Sequence, residues 1–166
     1  MKQILITLAL VVLSSILIET AFAQATATQS VSLTVNTVYK IATSGNPSAL
    51  TVTTGTAGTD ALSSVSDNST TYSITQNFGN TVKITANLDA ALASGYTLQL
   101  NLASSKGTSA GSVDISNATS GSAVNVVTAI AKGADASQTI SYTFSALASA
   151  GTLASTSKTV TLTLTN

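Results

Sequence analysis

The chain has no cysteine, histidine or tryptophan, no arginine, a single proline at Pro47 and a single glutamate at Glu19. Each absence closes a class of chemistry. Without cysteine there are no disulfides, thiolate nucleophiles or lipid attachment points, so packing and sheet hydrogen bonds must hold any exported domain. Without histidine, the usual general bases reduce to aspartate and lysine. Charged residues make up 7% of the chain and the formal net charge is +0. Such a surface offers no field to gather nucleic acid or anionic lipid. Low charge favours assembly over free dispersal.

What the chain does contain begins with a leader. Lys2 supplies a positive start, residues 4–18 an apolar run, and Ala21, Phe22 and Ala23 an A-x-A cleavage signature. This is the pattern of a secretory signal peptide over 1–23, with cutting expected after Ala23. A retained anchor would need about 20 apolar residues, and Glu19 closes the run too early. Residues 24–28 form a small, polar, flexible arm, and 29–166 are long enough for one domain with its own core. The mature protein is expected to be secreted, extracellular or at the cell surface, passing through a periplasm where the host has an outer membrane. No membrane span is expected after cleavage.

Hydroxyls replace charge: the chain holds 29 Thr and 25 Ser. Many of them alternate with apolar residues, the period-2 pattern of half-buried strands. Val31, Leu33, Val35, Tyr39 and Ile41 alternate over 29–41, a stretch too long for an ordinary strand. It must bend, change sheets, or divide into a projecting arm and a first strand. Leu50 and Val52 mark a short strand after the Pro47 turn, and Leu62 and Val65 a brief strand or loop anchors. Tyr72 and Ile74, the turn at 77–80, and Val82, Ile84, Ala86 and Leu88 read as a hairpin. Residues 89–94 are helix-prone but too short for more than one turn. Further strands are expected around Leu98 and Leu100, Val113 and Ile115, 124–130, Ile140 to Phe144, and 159–165, with residues 131–137 carrying the turn before Ile140. The rhythm predicts an all-β fold, an immunoglobulin-like antiparallel β-sandwich of about 8–9 strands. Its expected core is Tyr72, Ile74, Val82, Ile84, Leu98, Leu100, Tyr142, Phe144, Leu162 and Leu164. Short strands and few aromatics argue against an outer-membrane barrel.

No residue set supports catalysis, so the protein is expected not to be an enzyme, and neither metal nor cofactor is expected. Ser155 and Lys158 spell S-x-x-K, but that chemistry needs a helix and companion motifs, and these residues lead into a strand. Asp60, Asp67, Asp89, Asp114 and Asp135 are scattered, lack the clustering of calcium loops, and are expected to bond nearby turn backbone. Asn68 and Asn117 begin glycosylation sequons. Tyr39, Tyr72, Tyr96 and Tyr142 fall on the apolar phase of their strands and read as core, not as sugar platforms. The alternating threonines at 159, 161, 163 and 165 are ordinary solvent-facing strand residues.

The leader, the segment ATATQSVSLTV just after the cut and the terminal TVTLTLTN together resemble secreted bacterial β-sandwich fibre subunits. These are the pilin-like group that includes spore-coat-protein-U-type domains. The resemblance implies assembly by strand donation, in which the arm of one subunit completes the sheet of the next. Val31, Leu33 and Val35 would be the assembly residues, buried against either their own domain or a neighbour. The expected function is therefore a secreted structural or adhesive surface protein, with itself or other surface proteins as partners and no nucleic acid. The alternative is a monomeric extracellular module that binds polysaccharide or protein.

Overall fold

The structure is a computed structural model, and it describes residues 25–166. The signal-peptide assignment and its cleavage point lie outside the described residues. Nine strands follow in order: β1 (Tyr39–Thr43), β2 (Val65–Gln76), β3 (Val82–Leu88), β4 (Tyr96–Leu102), β5 (Thr108–Ser109), β6 (Val113–Asp114), β7 (Val124–Ile130), β8 (Gly133–Ala146) and β9 (Val160–Thr165). They make two antiparallel sheets, one ordered β1-β2-β8-β4-β6 and the other β5-β7-β3-β9. The compact body is Asn36–Asn166, and residues 25–35 belong to a separate unit.

Alternation builds the core directly. β3 and β4, VKITANL and YTLQLNL, each bury every second side chain. Both sheets contribute to one apolar cluster, from Tyr72, Ile74, Leu98, Leu100, Ile140 and Tyr142 on one side to Val82, Ile84, Leu88, Val126, Val127 and Ile130 on the other. The architecture is thus a β-sandwich-like pair of sheets around a shared interior. Phe144, Leu162 and Leu164 take the expected inward phase but stay only partly buried.

Three local expectations are corrected. β2 and β3 do not pair: β2 lies between β1 and β8, whereas β3 lies between β7 and β9 in the other sheet. The turn at 77–80 therefore carries the chain from one sheet to the other. Both strands bury the same phase into one core, so the pattern looks alike whether they pair or face each other across it. Leu50 and Val52 lie in irregular chain, half-buried, with no strand around them. Residues 131–137 are not all turn, because β8 begins at Gly133.

Bulges account for the places where period 2 breaks. Asp67 accepts the Ser69 N–H at 3.1 Å and its hydroxyl at 2.8 Å, an aspartate turn set inside β2 where its register with β8 slips. Between Tyr72 and Ile74 the register slips again, opposite Ser137, which has a φ of 55°. That bulge reverses the phase of β8, so Asp135 faces the interior instead of Ala134 or Ala136. In β7, Ala129 has a φ of 53° beside a third irregularity, and both Val126 and Val127 are buried.

Candidate functional site

The long alternating stretch divides at its middle. Only Tyr39 to Ile41 of it enters β1, where Tyr39 pairs with Gln76 and Ile41 with Ile74. Asn77 marks the division. Its side-chain oxygen accepts the Val38 N–H at 2.7 Å, its amide nitrogen donates to the Asn36 carbonyl at 2.9 Å, and its own N–H donates to the Val38 carbonyl at 3.3 Å. One side chain thereby continues the sheet pairing for two residues beyond the strand. N-terminal to this clamp no strand forms among the described residues.

Val31, Leu33 and Val35 are 74%, 87% and 86% exposed. The expectation that they are buried is not met within the single chain. The physical reason is the early end of sheet pairing: without a neighbouring strand, alternation has no face to bury. They are the three most exposed large apolar side chains among the described residues.

The four sheet edges differ in length and charge. β5 and β6 are two residues each, and β6 ends in Asp114. β1 has five residues with Lys40 among them. β9, VTLTLT, has six residues and no charge. β9 pairs with β3 through Leu88 with Val160, Ala86 with Leu162 and Ile84 with Leu164. The three β3 residues of these pairs are fully buried, whereas their β9 partners are only partly so.

The aspartates are all engaged. Asp67, Asp89 and Asp114 accept bonds from residues one or two positions on. Asp60 instead reaches a distant segment, taking the N–H and hydroxyl of Ser149 at 2.8 Å each. Asp135 is the unexpected one, 3% exposed within β8. Its carboxylate accepts the Ser104 hydroxyl at 2.9 Å, the Ser105 N–H at 2.9 Å, the Ser105 hydroxyl at 2.7 Å and the Lys106 N–H at 3.2 Å. Burial pushes the Asp135 carboxyl up, but the hydrogen bonds from Ser105, Ser104 and Lys106 outweigh it and leave it below its ordinary value of 3.8. The same connector is tied to β2, where the Tyr72 hydroxyl donates to the Ala103 carbonyl. Gly107 follows because a Cβ there would lie 2.8 Å from the Thr128 carbonyl oxygen. Together these contacts anchor the β4–β5 connector.

Among the described residues no three His, Cys, Asp or Glu side chains converge on a possible metal position. Ser155 and Lys158 lie in irregular chain, and the Lys158 ammonium reaches the Ala91 carbonyl at 3.5 Å. Tyr72, Tyr96 and Tyr142 are buried, and Tyr39 is half-buried against Phe78 at 5.6 Å between ring centroids. Asn68 and Asn117 are exposed, Asn68 within the β2 bulge and not in a loop. An open groove of about 280 Å³ is lined by residues 92–97 together with Asp114, Ser116 and Asn117. No helix among the described residues is long and apolar enough to cross a membrane. Comparison with known proteins finds no matching family model, no matching curated sequence and no matching solved structure.

Sequence reasoning missed two of these features. Asp135 was hidden by the bulge that reverses its phase, and no motif announces a bulge of that kind. The Asn77 clamp sits in the turn-rich run Asn77 to Asn80, whose composition signals a loop and not which strand end its first residue will extend.

Proposed function

We propose that this is a secreted, non-enzymatic structural or adhesive surface protein, an immunoglobulin-like β-sandwich whose copies join into fibres by β-strand addition. The observation that carries the reading is the segment of Val31, Leu33 and Val35. It has the alternation of a core strand, yet all three side chains are exposed in the isolated chain. Three apolar side chains of this size contribute up to about 1.5–3 kcal/mol each when buried, a sum that gives an arm strong reason to find a partner. Backbone pairing with a sheet edge satisfies the arm's amides while the alternate side chains set register.

Size-exclusion chromatography and negative-stain microscopy of the purified, processed protein test the reading. Threads or a ladder of oligomers are expected. Leu33→Asp is expected to yield a monomer with an unchanged thermal midpoint, because the side chain lies outside the folded body. A native protein that stays monomeric at every concentration overturns the fibre reading in favour of a monomeric binding module.

A further inference from the structure

Resting on the fibre reading, we propose that the acceptor for the arm is the free edge of β9 in a second copy of this chain. Four edges compete, and three are blunted in the ways natural sheets use against unwanted pairing. β5 and β6 are too short at two residues each, and β1 carries Lys40. β9 alone is long and uncharged, with neither proline nor bulge against β3.

The burial gradient across the four-stranded sheet points to the same edge. Ile84, Ala86 and Leu88 on β3 are at 0% exposure, and their directly paired neighbours Leu164, Leu162 and Val160 on β9 are left partly open. The inner face of this sheet therefore runs out one strand before its apolar row is covered. A further strand beside β9 with side chains of the same kind at i, i+2 and i+4 would cover it. Val31, Leu33 and Val35 have that spacing, which is also the spacing of Val160, Leu162 and Leu164. The donor row and the open acceptor row are thus matched in number and in repeat. Residues 25–38 extend to about 46 Å at roughly 3.3 Å per residue, more than twice the length of β9 on the same scale. Donor and acceptor are different patches, so one-way donation is heterologous and propagates as an open filament, whereas reciprocal exchange between two copies closes as a two-fold dimer and stops the ladder at dimers.

The absence of cysteine makes disulfide trapping clean. Ser32 and Thr34 lie on the polar phase of the arm, and Thr161 and Thr163 are exposed on the polar phase of β9. Thr34→Cys or Ser32→Cys is combined in one chain with Thr161→Cys or Thr163→Cys, and in a parallel series with Lys40→Cys or Ala42→Cys on β1. None of these positions touches the core. A disulfide needs Cα atoms about 4.4–6.8 Å apart, which adjacent strands meet and strands two apart do not. After mild oxidation, the β9 series is expected to give a ladder of dimers, trimers and higher species on a non-reducing gel, at least about tenfold stronger than the β1 series. A ladder confined to the β1 series, or threads with no ladder in either, overturns the β9 assignment while the fibre reading stands. Disulfides formed only within single chains overturn the second copy as occupant. The absence of both threads and ladders overturns the fibre reading itself.

Discussion

β4 and the arm around Leu33 are written in the same grammar and meet opposite fates. Leu98, Leu100 and Leu102 of β4 alternate with Thr97, Gln99 and Asn101; Val31, Leu33 and Val35 alternate with Ser32 and Thr34. Yet Leu100 is at 0% exposure and Leu33 at 87%. The difference lies in neighbours, not in composition. β4 is flanked by β8 and β6, and its inner face meets the opposite sheet. The arm has no flanking strand among the described residues. Alternation therefore specifies which side chains share a face, and leaves to topology whether that face has anything to lie against.

The comparison predicts a hierarchy of effects on stability. The largest belongs to Leu100→Ala, which should cost about 2–5 kcal/mol through the cavity it leaves. Leu33→Ala should change the same chemical-denaturation midpoint by no more than about 0.5 kcal/mol. Equal losses for the two would show that the arm is part of the folded body.

Next comes the buried carboxylate. Asp135→Ala leaves the Ser104, Ser105 and Lys106 donors without their acceptor and should cost about 1–3 kcal/mol. Because the folded-state value of Asp135 is depressed, its contribution is fully present above the ordinary 3.8 and is lost as pH falls through the lower folded value. Acid unfolding of the native protein should therefore steepen below about pH 4, and Asp135→Ala should flatten that limb. Tyr72 has the opposite sign. Burial pushes its hydroxyl up to about 12, with the Ser104 bond opposing the rise and the Asp135 charge adding to it. Its contribution is full below 10.0 and fades as pH rises toward 12, which a Tyr72→Phe variant should no longer show.

A smaller effect of the reverse direction is expected at Thr70. Its hydroxyl is buried with no hydrogen-bond partner among the described residues, so Thr70→Val should raise the thermal midpoint, by the equivalent of up to about 1 kcal/mol. Smallest of all is removal of residues 25–35. Since the compact body begins at Asn36, the truncated protein should unfold within about 0.5 kcal/mol of the full one. Cooperative unfolding lost on truncation would return the arm to the interior.

Much of the body was legible because its strands are regular. β3, β4, β7 and β9 follow the alternation or apolar runs of their own residues, and Tyr72, Ile74, Val82, Ile84, Leu98, Leu100 and Tyr142 are buried as their phase requires. What escaped reading is non-local. The turn at 77–80 reverses the chain in either case, but only the distant β8 and β9 determine that β2 and β3 are in different sheets. Leu50 and Val52 had the right residues for a strand but lie half-buried in irregular chain, paired with no sheet edge. Asp135 looked like a turn aspartate because the bulge at Ser137 changes parity without a glycine or proline to mark it. For the arm, the alternation was recognisable, but whether such a row is covered depends on a neighbouring strand that the residues themselves do not specify.

The placement of β3 also has a consequence in time. Its two flanking strands, β7 and β9, both come later in the chain, and β2 waits for β8. A chain emerging from its N-terminus can form only the β1–β2 pair before residue 113. Until then Ile84, Leu88 and Leu100 have no sheet to complete. Pairing so distant in sequence folds slowly, and such intermediates aggregate readily. A chain of this design stays open through its synthesis, and its hydroxyl-rich, nearly uncharged surface is complete only after the last strand docks.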